Sequence, residues 1–174
     1  MANRGVRVHD PAFDEFARAH NAALYRTALL MTGDAGLAED LVQTALARVF
    51  ARWHRLSAQE PAAYARRVII NLHHDRWRHH RGREVLVDTA PERAARTDQT
   101  DATDIRDALV RALAELTVRE RQIVVLRFVV DLSEADTAAE LGVSVGTVKS
   151  TASRAVRKLR TSPHLDWAFT EESR

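Results

Sequence analysis

The stretch LSEADTAAELGVSVGTVKSTASRAVRKLR, residues 132–160, decides how this chain folds. Ser133 is a good helix cap, and Glu134 to Leu141 makes one short helical run. Gly142 interrupts it, Val143-Ser144-Val145 follow, and a second run extends from about Gly146 to Leu159. Two helices joined by a tight turn with glycine inside form the helix-turn-helix pattern. Three positions test it. Ala138 lies four residues before the glycine, where two helices cross closely and only a small side chain fits. Gly142 sits at the turn, where a positive φ is needed. Val148 lies six residues after it and plugs the space between the helices, with Leu141, Val143 and Val156 completing an apolar side. A purely structural helical hairpin is the competing reading.

The second of these helices has a polar face suited to DNA. Ser144 or Thr147 can cap it and offer backbone N–H groups to a phosphate. Lys149, Ser150, Ser153 and Arg154 project from its N-terminal half, the part that enters the major groove in this motif. Arg157, Lys158 and Arg160 follow at phosphate-contacting positions, which orient a protein without specifying sequence.

Outward from this motif the periodicity stays helical. Ile105, Leu109, Ala112, Leu113 and Leu116 mark one helix. Thr117 caps the next, with Glu120 three residues on as its capping-box partner. The run Ile123–Val130 is β-branched, but its capped and helical neighbours assign it to a helix. In the N-terminal half Asp10 and Pro11 start a helix through Phe13, Phe16, Leu24 and Leu30. A break at 32–36 follows, then a helix from about Leu37 to Trp53 and another from Pro61 to near Gly82. Residues 84–103, rich in Asp, Thr, Ala and Arg, lose the pattern and read as a flexible linker. The expectation is an all-α protein of two small helical bundles, residues 10–82 and 105–160, joined by a linker at 83–104 and ending in a tail at 161–174.

The chain has 174 residues, 45% of them hydrophobic and 29% charged, the balance of a soluble globular protein. No run of about 18 apolar residues exists to span a membrane, and the first ten residues lack the apolar stretch of a secretory signal. With no cysteine, disulfides, thiolate catalysis and cysteine–zinc sites are excluded, and a cytoplasmic setting fits. Net charge is only +2, but it is unevenly spread. Residues 64–83 hold six arginines and one acid; residues 84–107 hold seven acids and three arginines; residues 144–160 hold five bases and no acid. Two basic blocks with an acidic stretch between them point to two contacts with a polyanion.

On these residues a family resemblance appears. Leu132-Ser133-Glu134, Ala138-Ala139-x-Leu141-Gly142-Val143-Ser144-Val145-Gly146-Thr147-Val148-Lys149-Ser150 and Ser153-Arg154-Ala155 closely resemble region 4 of bacterial extracytoplasmic-function (ECF) sigma factors. The serine-rich second helix is similar to the actinobacterial SigE-type subgroup. Ala38-Glu39-Asp40-Leu41-Val42-Gln43-x-x-Leu46-x-x-Val49-Phe50 resembles the region 2 helix that grips the polymerase clamp. Tyr64-x-x-Arg67-Val68-x-x-Asn71-x-x-x-Asp75-x-x-Arg78 resembles the stretch that melts and reads the minus-10 element. The resemblance covers about residues 13–160.

The resemblance implies a sigma subunit whose partners are core RNA polymerase, at clamp and flap, and promoter DNA, with an anti-sigma factor as the usual restraint. Asp40, Gln43, Ala47 and Phe50 would meet polymerase, with Arg48 and Arg52 continuing nearby. Tyr64, Arg66, Arg67, Asn71, Asp75, Arg76, Trp77 and Arg78 would serve the minus-10 element, Asn71 standing where the family captures a flipped base. Tyr64 and Trp77 fit core packing equally well. Thr147, Lys149, Ser150, Ser153, Arg154 and Arg157 would serve the minus-35 element, over a core of Ala138, Gly142 and Val148. Thr151 departs from the family, many members having arginine there.

No enzyme chemistry, cofactor or metal is expected. His73, His74, His79 and His80 tempt a metal reading. Yet no pair has i, i+4 spacing, and His73 and His80 lie roughly 10.5 Å apart along a helix axis. The alternative from another class is a stand-alone dimeric helix-turn-helix regulator. It accounts for residues 105–160 but not for the first basic block with its Tyr, Asn and Trp.

Overall fold

The computed structural model describes residues 10–56, 60–83 and 101–165, the side chains of 77–83 and 101–103 excepted. Every regular element among them is helical: α1 (Pro11–Thr32), α2 (Ala35–Ala51), α3 (Trp53–Leu56), α4 (Pro61–Arg83), α5 (Asp101–Ala114), α6 (Val118–Val124), α7 (Glu134–Leu141) and α8 (Val145–Arg160). A π-helical turn, Val125–Val129, continues α6.

The caps explain most boundaries. The Asp10 carboxylate accepts from the N–H groups of Ala12 and Phe13, and Pro11 opens α1 where an N–H would have no partner. Gly33 closes α1 at φ +72, its N–H donating to the Leu29 carbonyl at 2.8 Å. A residue with a Cβ would be strained there. Asp34 then caps α2 through the Leu37 N–H. Thr117 and Glu120 form the expected capping box.

The β-branched run at 123–130 is indeed helical. Ile123 to Leu126 are all buried, and packing overrides their preference for strands. Its second half widens into the π turn, where Val130 N–H reaches back to the Val125 carbonyl and Asp131 stops the helix at φ +60. α5 starts at Asp101, earlier than its sequence pattern suggests. The rest of the expected linker, 84–100, lies outside the described residues, as does most of the tail.

The first bundle packs α1, α2 and α4 around Phe16, Leu24, Leu41, Val42, Val49, Val68 and Ile69. Phe13 closes one end, its ring 4.9 Å from Phe50 and 5.5 Å from Trp53 between centroids. Such pairs add about 0.5–1.5 kcal/mol each beyond burial. The second bundle is lighter. Its helix-turn-helix closes over Ile123, Ala138 and Val148, with Leu141, Val143 and Ala152 around them.

The two bundles also share a core. Leu30 and Met31 of α1 and Ile70 of α4 pack with Leu113, Leu116, Val124, Val125, Leu126 and Ala155. α1 and α4 are therefore apolar on two sides, one for each bundle. Arg121 fastens the junction. It donates to the carbonyls of Met31 at 3.2 Å, Ala114 at 3.3 Å and Leu116 at 3.4 Å, so one guanidinium satisfies the ends of α1 and α5 together.

Candidate nucleic-acid interfaces

α8 presents a ridge. Val148 is fully buried and Ala138 nearly so, while Gly142 turns the chain at φ +63, as the helix-turn-helix reading requires. That register leaves Thr147, Lys149, Ser150, Ser153, Arg154 and Arg157 exposed. Ser144, not Thr147, is the cap: its hydroxyl accepts the Thr147 N–H at 3.1 Å and shares a hydrogen bond with the Thr147 hydroxyl. Lys149 lies 3.5 Å from Glu134 across the turn. Arg154 donates to the hydroxyl of buried Thr151, so the family's arginine position serves here as an inner support.

Lys158 departs from the phosphate role its place suggested. Its ammonium holds both carboxylate oxygens of Glu120, at 2.8 and 2.9 Å. Burial works to raise the Glu120 pKa, but Lys158 and the Thr117 N–H and hydroxyl outweigh it and hold the carboxyl below its ordinary value. Lys158 thus ties α8 to the capping box of α6. Nothing in the sequence distinguishes this lysine from its basic neighbours, because its partner is 38 residues away.

α4 presents a cleft. Tyr64, Arg67, Val68 and Asn71 recur at helical steps along one side, and α2 supplies the opposite wall with Arg48, Ala51 and Arg52. The cleft is open to solvent and has a volume of about 480 Å³. The Arg52 guanidinium sits over the Tyr64 ring, 5.4 Å from its centroid. Tyr64 is half-buried against the first core, so it is both a packing residue and a cleft wall. Asn71 is exposed. Arg66 is half-buried, and Asp75 and Arg76 are exposed further along. The Trp77 and Arg78 side chains lie outside the described residues.

Along α2, Asp40, Gln43 and Ala47 are exposed, whereas Phe50 is half-buried against Phe13. Arg48 and Arg52 do not continue that edge. Arg48 lies roughly 80° round the helix from Asp40, and Arg52 is the C-cap beyond it; both line the side that faces α4.

Three buried polar groups lie where the bundles meet, and none was singled out for this role from sequence. Glu140 of α7 places its carboxylate 3.8 Å from Arg67 Nε, with its own side chain only 7% exposed. Burial pushes its pKa up, opposed by Arg67 and Arg66 and assisted by Asp136. His73 of α4 is buried, with Nδ1 unpartnered. Burial first, then Arg121 and His74, lower its pKa to about 4. Arg121, whose pKa burial also lowers, is the third. No cluster of three or more His, Asp or Glu able to hold a metal occurs among the described residues.

A helical protein with a cationic cleft and a helix-turn-helix ridge is, as a class, built for nucleic acid. The family models specify which kind. Residues 16–83 match sigma-70 region 2, and residues 106–159 match sigma-70 region 4. The chain is 41% identical over 149 residues to the RNA polymerase sigma-E factor of Streptomyces coelicolor, covering 85% of this chain and 84% of that one. It is 35% identical over 147 residues to the ECF RNA polymerase sigma factor SigL of Mycobacterium tuberculosis, covering 81% and 82%. Among solved structures it resembles the sigma factor RpoE of Bartonella quintana, in complex with the anti-sigma factor NepR. That match has a TM-score of 0.67 and 26% identity, covering 87% of this chain and 96% of that one. The chain belongs to the ECF sigma factors of the sigma-70 family, of the SigE type. The stand-alone regulator is not favoured, since the region 2 match covers the half that it left unexplained.

Proposed function

We propose that this sigma factor divides promoter recognition between the cleft and the ridge, and binds polymerase through the outer edge of α2. A cleft lined by Tyr64, Arg67 and Asn71 suits an unstacked base and its phosphate: an aromatic wall, a guanidinium and an amide able to read a base edge. Arg66, Asp75, Arg76, Trp77 and Arg78 complete the minus-10 surface in this reading. The exposed face of α8, from Thr147 to Arg157, suits the major groove of the minus-35 element. Asp40, Gln43 and Ala47 form the polymerase edge, with Phe50 braced behind them. Phe128, 59% exposed at the π turn, offers the second bundle an apolar contact for the flap.

The protein acts as an initiation factor rather than an enzyme, in the cytoplasm with polymerase and chromosome. No helix among the described residues is long and apolar enough to cross a membrane. An anti-sigma factor is a proposed partner, as found for the Bartonella relative. The observation that carries the reading is the cleft, which has Tyr64, Arg67 and Asn71 of the region 2 motif along one side. The test is to mix the full chain with bacterial core RNA polymerase, follow co-elution, and map promoter opening by permanganate. Co-elution and opening are expected. A DNA-binding dimer that ignores polymerase would overturn the proposal.

A further inference from the structure

We propose that Arg48 of α2 and Arg52 at its C-cap are ligands for the phosphates of the single strand held in the α2–α4 cleft, so that α2 and its cap serve polymerase on one face and DNA on another. The inference rests on reading α4 as the minus-10 surface. It begins from the placement of the two arginines, Arg48 in the last turn of α2 and Arg52 at its C-cap, both lining the cleft opposite Tyr64, Arg67 and Asn71.

The charges then separate the three guanidinium groups. Arg67 already faces the Glu140 carboxylate at 3.8 Å. No carboxylate among the described residues lies within ion-pairing distance of Arg48 or Arg52. Two guanidiniums beside a third, with no acid of their own, repel one another unless an anion enters. The cleft volume of about 480 Å³ falls within the range of small-ligand sites, ~300–1,000 Å³, and so has room for a nucleotide unit. Arg52 also lies over the Tyr64 ring, 5.4 Å from its centroid, so its guanidinium is partly placed before a ligand arrives. A base resting at Tyr64 and Asn71 would leave its phosphates against the α2 wall. Free nucleotides offer the same base and phosphate chemistry as a strand. The strand is favoured because the motif residues on the facing wall belong to promoter opening.

The test uses the full chain bound to core polymerase. Arg48→Gln/Arg52→Gln is compared with the wild type for binding a labelled random-sequence single-stranded DNA pool over a range of salt. The double variant should bind the pool about tenfold more weakly. Its log affinity should depend less steeply on log salt, by about 1.4 for two lost phosphate contacts on a single strand. Core polymerase should be retained on a sizing column. Unchanged affinity and slope would overturn the assignment. So would loss of core binding with strand binding intact, which would return both arginines to the polymerase edge. Displacement of the pool by equimolar ATP would make the cleft a free-nucleotide site instead. Asn71→Ala separates the two claims. If it weakens the strand while the arginine variant does not, only this inference fails; if neither does, the reading of α4 fails with it.

Discussion

The two surfaces proposed to face DNA in this sigma factor differ in shape: one is a cleft between α2 and α4, the other the exposed face of a single helix, α8. The first bundle packs the large rings of Phe13, Phe16 and Trp53 together, and a cleft opens where Arg48, Ala51 and Arg52 face Tyr64, Arg67 and Asn71. In the second, Ala138 and Val148 close α7 against α8 over Ile123, and α8 turns its polar residues from Thr147 to Arg157 to solvent. A concave wall suits a base taken out of its stack, and a convex helix suits a duplex groove. Small cores stabilise little, and the second bundle compensates with polar ties. These are the Thr117–Glu120 box, the Glu120–Lys158 pair, and Arg127 donating to the Leu132 carbonyl.

The sharpest way to break that contrast is Val148→Asp. Val148 of α8 is fully shielded in the apolar cluster with Ile123 and Ala138, where a carboxylate would be buried. The expected loss is at least ~3 kcal/mol, read as a large fall in the melting temperature by circular dichroism. An unaltered melt would refute the helix-turn-helix register.

Acid should loosen the place where the bundles join. The His73 pKa is depressed from 6.5 to about 4, so the folded chain binds fewer protons than the unfolded chain between those values. Its stabilisation is complete above pH 6.5 and is lost as pH falls towards 4, up to about 3 kcal/mol in all. His73→Gln should flatten that part of the stability–pH curve. Parallel curves for the two proteins would show that His73 is not shielded beside Arg121.

The cleft and the ridge should also fail differently. Asn71→Ala is expected to spare polymerase binding and slow opening about tenfold, the worth of one good base contact. Unchanged permanganate reactivity would count against it. Lys149→Ala should leave stability within about 0.5 kcal/mol, since exposed pairs such as Lys149–Glu134 contribute little. It should weaken duplex binding and reduce the salt slope by about 0.9 if it meets a phosphate. Wild-type transcription from a matched promoter would argue otherwise.

What the sequence disclosed was local. Asp10, Thr117, Ser133 and Gly142 announce their helix ends within four residues, and Ala138 and Val148 are fixed by distance from one glycine. The docking of the bundles was not legible. Leu30, Met31 and Ile70 read as ordinary apolar positions until α5 and α6 lie across them. Arg121 reaches a carbonyl 90 residues away, a partner no spacing rule identifies. In the cleft, the α4 residues were found because they form a motif. Arg48 and Arg52 were placed on the polymerase edge because chain proximity to Ala47 is a poor guide to helix face.

Glu140→Gln gives the smallest expected effect and probes the contact between the two regions most directly. Glu140 belongs to the ridge bundle, yet its carboxylate is buried against Arg67 of the cleft. Were attraction dominant, its pKa would fall; instead burial raises it despite both arginines. A raised folded pKa means stabilisation that is present in acid and lost as pH rises through it, so at neutral pH the ionised form weighs against folding. Glutamine keeps the shape and removes the charge. The melting temperature should therefore rise slightly at neutral pH, and the difference should vanish in acid, where Glu140 is itself protonated. A fall at neutral pH would reverse the conclusion. It would make the Arg67–Glu140 pair a net attraction, and the meeting of cleft and ridge would be electrostatic rather than a product of the shared apolar core around Met31 and Leu113.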